Sequence, residues 1–142
     1  TIYTLSAGEN DKDGGYIAAF KSSATTYVVF NECDLTGAEE GATEIALGRP
    51  WGADFKMITI NSKISGNYSK KAHEAGVNKK ERYVTMSGNE PKPENMLEYN
   101  NTGDGAITES IANTCTVMTA EQAAKYAVEN IATILGFIPE NL

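Results

Sequence analysis

The sequence predicts an all-β fold of stacked parallel strands, closed towards its C-terminal end by a helix. Three observations carry that expectation. The apolar runs of the first three quarters are short and rich in β-branched and aromatic residues. None is joined to the next by a two-residue Asn-Gly or Asp-Gly hairpin, the one Asp-Gly pair, in "KDGGY", reading as a loop. A helical period appears only in the last quarter.

Taken in order, the strand-like runs are "GGYIAAF" (14–20), "TTYVVFNECDLT" (25–36), "KMITINSKIS" (56–65) and "RYVTMS" (82–87), each bounded by Gly, Asn, Asp or Ser. In "YVVFNECDL", Val28, Phe30 and Glu32 fall on one face and Val29, Asn31 and Cys33 on the other, so neither face is cleanly polar. Strands of that kind are covered on both sides, as parallel strands are. Irregular spacing without hairpins fits a solenoid in which each turn contributes one strand per face and the loops vary in length. The segment "MTAEQAAKYAVENIATILGF" (118–137) opens with Thr119 as N-cap and Gln122 three residues later, a capping box. Ala123, Tyr126, Ala127, Ile131 and Leu135 then recur near helical spacing, and Gly136 supplies a stop. The expected organisation is one domain over 1–142, with strand coils to about 115 and a helix over about 118–136 that covers the open end of the stack.

Composition narrows the function. The 142 residues carry a formal net charge of −7, which argues against a nucleic-acid partner, because neutralising phosphates takes clustered Lys and Arg. No apolar run approaches the ~20 residues a membrane-spanning helix needs. The chain starts at Thr1 without Met or a signal-like run, so an upstream portion is expected, and an uncovered stack edge at Thr1 to Leu5 predicts self-association. Lys70, Lys71, Lys79, Lys80 and Arg82 cluster in one short segment that reads as a solvated loop. Cys33 and Cys115 read as buried small apolar residues rather than a disulfide, and the lone His73 argues against a zinc site or a histidine-based triad.

One short stretch stands out. "LGRPW" (47–51) sets Arg49 between glycine and proline and follows them with the only tryptophan, Trp51. An isolated arginine is ordinarily a surface ion-pair partner and an isolated tryptophan a core residue. The motif resembles the signature of the pectinesterases, the carbohydrate esterases that remove methyl esters from pectin, and further segments agree in order. "YIAAFKSSATTYVVFNECDLTG" (16–37) is similar to the family's "YITA" followed by "GYVFxNCxLTG". "LEYNNTGDGA" (97–106) resembles "EYxNTGPGA", and "MTAEQAAKYAVENI" (118–131) resembles "LTxEQAAxYTVxNVL".

The resemblance implies the C-terminal coils of a right-handed parallel β-helix with a C-terminal α-helix. It also implies hydrolysis of the C6 methyl ester of galacturonan with release of methanol and no metal or organic cofactor, by a protein that is secreted because its substrate lies outside cells. In that family one Asp attacks the ester carbonyl, a second Asp acts as acid and then base, Gln side chains hold the oxyanion, and the arginine of "GRPW" binds the nucleophilic carboxylate. Arg49 takes the last role by match. A guanidinium suits it, being always charged and planar enough to fix a carboxylate in one orientation. Trp51 would form a wall for the sugar. Met86, in "TMSG" (85–88), matches a groove methionine of the bacterial branch, and a thioether can pack on a methyl ester. The family's two aspartates belong to "QDT"-like and "DFIFG"-like motifs, and neither occurs here. Asp11, Asp13 and Asp54 have no supporting spacing as substitutes. The implied partners are pectin and the missing N-terminal part of the same β-helix. A reading of a different class, a noncatalytic carbohydrate-binding β-solenoid, would keep Trp51 and a groove while lacking the acids. After Trp51 the family often shows "YSRTV", whereas "GADFKMITI" puts Phe55 and Lys56 in that region.

Overall fold

The computed structural model describes residues 2–4, 15–19, 21, 27–37, 44–76, 80–127 and 130. Among them are the strands β1 (Ile2–Thr4), β2 (Tyr16–Ala18), β3 (Val28–Asn31), β4 (Asp34–Gly37), β5 (Ala46–Gly48), β6 (Met57–Ile60), β7 (Lys63–Ile64), β8 (Met96–Tyr99) and β9 (Thr116–Val117). Every pairing between them is parallel. They form three sheets, ordered β1-β4-β7, β2-β5 and β3-β6-β8-β9. The chain visits these sheets in a fixed cyclic order. Strands β1, β2 and β3 occupy them in turn, β4, β5 and β6 repeat the cycle, and β7 opens a third round. In that round bridges from Tyr68 to Ile45 and from Tyr83 to Gly48 extend the second sheet, before β8 joins the third. The expected parallel stack is therefore observed, and its central strand has no face left to water: β6 is buried at all four positions.

Two predicted runs are each two strands. The run 25–36 turns at Glu32 (φ 54°), and the run 56–65 turns at Asn61 (φ 51°), with Asn100 (φ 49°) at the same corner of the following coil. Asparagine adopts this left-handed region at low cost. The corners are tied by a ladder: Asn100 Nδ2 donates to Asn61 Oδ1 (2.9 Å) and Asn61 Nδ2 to Asn31 Oδ1 (3.0 Å). One position further on, Ser62 Oγ accepts from the Cys33 amide, and Asn101 Oδ1 from the Ser62 amide. Each coil thus bends where a side chain meets the backbone need of its neighbour. The run 82–87 is a correction, because it holds only the Tyr83 bridge and a tight antiparallel turn, Met86 to Asn89. Ser87 (φ 51°) and Gly88 (φ 78°) give that turn the two positive dihedrals of a reversed hairpin bend.

Side chains alternate between two cores. Leu35, Leu47, Phe55, Met57, Ile64, Tyr83, Met96 and Cys115 fill the interior of the coils. Ile58 and Ile60, pointing the other way from β6, pack with Met118 and Ala123 on the outer face of the third sheet. The "NTGDGA" stretch closes on β7 so tightly that a Cβ at Gly105 would lie 2.1 Å from the Ser65 carbonyl oxygen. Only glycine permits that approach.

The capping box at Thr119 forms as expected, with Gln122 N–H donating to Thr119 Oγ1 and Gln122 Oε1 accepting from the Thr119 amide. The helix it starts, α1 (Ala120–Ala123), continues as a 3-10 turn over Ala124–Tyr126, and Ala127 is extended. A single uninterrupted helix from 118 is therefore not what these residues form, and they lie against the outer sheet face. Ile131, Leu135 and Gly136 lie outside the described residues. No helix among the described residues is long and apolar enough to cross a membrane.

The basic segment is exposed at Lys70 and Lys71, as a solvated loop is, and departs from that reading at the buried Arg82. Lys71 and Lys80 both pair with Glu44, which lowers the Glu44 pKa through those hydrogen bonds. Arg82 is wholly inside the coil stack, with Nε 2.5 Å and Nη2 2.6 Å from the two carboxylate oxygens of Glu98 on β8. Its Nη1 donates to the carbonyls of Ser69 (2.8 Å) and Gly105 (2.9 Å). Burial acts against the Arg82 charge, and Glu98 more than offsets it, so the guanidinium holds its proton more tightly than usual.

Both cysteines are free; Cys115 is buried and Cys33 half-buried. Burial, reinforced by Glu98, pushes the Cys115 thiol up to about 12, and burial likewise raises Tyr83 well above its ordinary value. A folded state that keeps protons the unfolded chain releases loses stability as pH rises. The expected result is an unfolding free energy that falls between about pH 9 and about pH 12, with a limiting slope of about 1.4 kcal/mol per pH unit for one such group. Cys115→Ala should flatten the part of the curve just above the ordinary thiol value of 9.0. An equally steep fall in that variant would show that Cys115 is not the group responsible.

Candidate active site

Arg49 leaves the end of β5, and the backbone that carries it is bonded on both sides. Ala46 and Arg49 amides donate to the carbonyls of Gly15 and Ala18 (both 2.9 Å), flanking β2. On the other side Leu47 N–H donates to Arg82 O (2.7 Å) and Val84 N–H to Gly48 O (3.1 Å). Gly48 sits where a Cβ would stand 3.1 Å from Met57 Sδ and 3.2 Å from the Phe55 ring, so a larger residue would require those two side chains to give by a few tenths of an ångström. The Gly-Arg-Pro stretch is thereby fixed at the sheet, and the arginine is aimed from a rigid base.

The guanidinium stacks 4.7 Å from the centroid of Tyr16, a ring 41% exposed. Its Nη2 makes a long hydrogen bond of 3.4 Å to Thr85 O. Its Nε is buried and, among the described residues, has no hydrogen-bond partner; Thr85 Oγ1 is in the same condition. A buried guanidinium N–H without an acceptor is costly, and the donor inventory of the group is far from used. The unused donors of the guanidinium match the chemistry of a planar acceptor such as a carboxylate.

Trp51 follows the buried Pro50 and is 50% exposed, the most exposed of the large hydrophobic side chains described. Met86 is half-buried and follows Thr85, whose carbonyl Arg49 reaches, so the structure brings the Arg49 and Met86 segments together. Trp51 is placed by chain continuity, two residues beyond Arg49. Phe55 turns back into the core, and Lys56 lies over the rings of Tyr27 (5.9 Å) and Tyr126 (5.4 Å), on the outer sheet face. Neither of those two residues is available to the Arg49 surface. Asp54 is exposed, and Asp11 and Asp13 lie outside the described residues.

Tyr16 is the residue that sequence reasoning passed over. It lies in the quoted "YIAA" segment, and its register opposite Ala46 could have been read only by pairing that segment with "ALG". Among the described residues no group of three or more His, Cys, Asp or Glu is placed to hold a metal ion.

Searches against protein-family models and against curated proteins return no match for this chain. Among solved structures it is similar to the crystal structure of the pectin methylesterase from Aspergillus niger in deglycosylated form, with 27% sequence identity and a TM-score of 0.55. The match covers 75% of this chain and 33% of that one, so the chain spans about a third of that protein's length. Three quarters of this chain thus has a pectinesterase-like relationship to that enzyme.

Proposed function

We propose that this chain is the C-terminal part of a pectinesterase-like carboxylic ester hydrolase that removes methyl esters from galacturonan and releases methanol. In this reading the strands are the last coils of a right-handed parallel β-helix ended by the helix that begins at Thr119. The observation that carries it is Arg49: a guanidinium fixed at a strand end, stacked on Tyr16, with a buried Nε–H and no acceptor among the described residues. A nucleophilic carboxylate from an aspartate motif outside this sequence would accept that hydrogen bond and be held ionised and oriented. It would attack the ester carbonyl, a second carboxylic acid would give its proton to the departing methoxide, and water would then hydrolyse the acyl intermediate. Arg49 is the positioning residue, Trp51 the sugar wall and Met86 a groove contact. Pectin lies outside cells, so the protein acts there, together with the N-terminal coils that bear the acids.

The test is methanol release from highly esterified pectin by this chain alone and by a chain extended upstream through two aspartate motifs. Activity in the extended chain only is the expected result. Activity in neither would favour the noncatalytic sugar-binding solenoid, for which the exposed Trp51 is the supporting feature. Activity in the short chain would mean that the nucleophile lies within these residues.

A further inference from the structure

The backbone fixes where Arg49 starts, but its side chain has several torsions to settle before the guanidinium plane takes one orientation. Polar contacts do little of this. Among the described residues the side chain makes one hydrogen bond, from Nη2 to Thr85 O at 3.4 Å, too long to lock a plane, and Nε has no acceptor. The remaining contact is the Tyr16 ring, whose centroid lies 4.7 Å from the guanidinium carbon. The sheet delivers that ring. Tyr16 stands opposite Ala46 and Ala18 opposite Gly48 in the parallel pair of β2 and β5. The Ala46 amide donates to Gly15 O and the Arg49 amide to Ala18 O, so the register that brings ring and cation together is bonded at both ends. The ring is 41% exposed, second only to Trp51 among the large hydrophobic side chains described. A ring left that open adds little to the core, and the cation over its face is its distinctive contact.

We propose that Tyr16 is a second positioning residue, one that holds the Arg49 guanidinium in the orientation its carboxylate partner needs. The role rests on the esterase reading for the reaction it serves, but not for the contact between ring and cation. The negative face of the ring draws the guanidinium to one side, which narrows the rotamers open to Arg49 before any carboxylate arrives. Preorganisation of that kind acts on kcat rather than on KM, because in this role neither residue touches the substrate.

The chain has two arginines, Arg49 and Arg82, so their Nε–Hε signals in a ¹H–¹⁵N spectrum are told apart by Arg49→Lys, which removes one. The Arg49 signal is expected to carry the upfield displacement of a group over an aromatic face, to lose it in Tyr16→Leu and to regain it in Tyr16→Phe. Arg82, held by Glu98 in the coil interior, is the internal control and should not move. In the extended chain Tyr16→Leu should lower kcat about three- to ten-fold with KM unchanged, and Tyr16→Phe, which keeps the ring, should restore most of the rate. Once Arg49 is alanine, Tyr16→Leu should cost nothing further. An Arg49 signal that ignores Tyr16→Leu, or that moves no more than the Arg82 signal does, would overturn the contact. An undiminished extra loss in the Arg49→Ala background would show that Tyr16 does not act through Arg49 and would overturn the role. Methanol release that depends on Arg49 but not on Tyr16 would likewise overturn it and leave the esterase reading. A Tyr16-dependent Arg49 signal in a chain whose extended form releases no methanol would overturn the esterase reading and leave Tyr16 as the holder of the guanidinium.

Discussion

Replacing Arg82 by methionine is expected to lower stability by about 3–5 kcal/mol, a large share of the roughly 5–15 kcal/mol that holds a domain together. The cause is less the lost attraction than what remains. Glu98 would stay in the coil interior with its strongest partner gone, and the Tyr83 hydroxyl (3.4 Å) and Asn101 Nδ2 (3.3 Å) are too distant to replace a bidentate guanidinium. The Ser69 and Gly105 carbonyls would lose their donor as well. Those four acceptors tie β8 to the segment after Tyr68 and to the glycine turn, so the loss is felt across the last coils. The double variant Arg82→Met/Glu98→Leu removes both charges and should recover much of the deficit. Urea unfolding followed by circular dichroism measures both. A single variant no less stable than the double one would show that the pair is not the keystone its burial indicates.

In the extended chain, Arg49→Ala is expected to reduce kcat for pectin demethylation by about 10²–10³, the scale of removing one oriented charged donor from a reaction centre. KM should change little, because the guanidinium acts on the enzyme's own carboxylate. Stability should stay within about 0.5 kcal/mol, since Arg49 is only half-buried and the one hydrogen bond its side chain makes among the described residues, to Thr85 O, is long. Arg49→Lys should recover little of the rate, since a lysine supplies charge without the planar fork. A rate within two-fold of the parent in Arg49→Ala would remove Arg49 from the mechanism. A KM effect alone would make it a substrate contact instead.

The sequence by itself determined the class of fold, because strand burial is written in composition. Runs such as "MITI", apolar or neutral on both faces and without hairpin turns, leave parallel stacking as the way to cover them. It determined the Thr119 cap, a local hydrogen-bond pair that needs nothing beyond four consecutive residues. It also singled out Arg49, Trp51 and Met86 as site candidates through motif resemblance. The tertiary structure decided whatever depends on partners distant along the chain. Arg82 reads as one more cation of a basic loop until Glu98, sixteen residues away, is found beside it in the core. His73 reads as a solitary histidine until Glu81, eight residues further on, is found 2.9 Å from its ring. Tyr16 reads as a strand aromatic until β2 and β5 pair and set it beneath Arg49. Even the corners at Glu32 and Asn61 escaped the strand pattern, since a period of two says which face a residue takes but not where the chain leaves the sheet. Periodicity and capping are local and legible in the sequence, whereas pairing of charges and rings is set by the register of coils whose partners, as in Val28 with Met57 and Met57 with Met96, lie far apart along the chain, which only the folded stack defines.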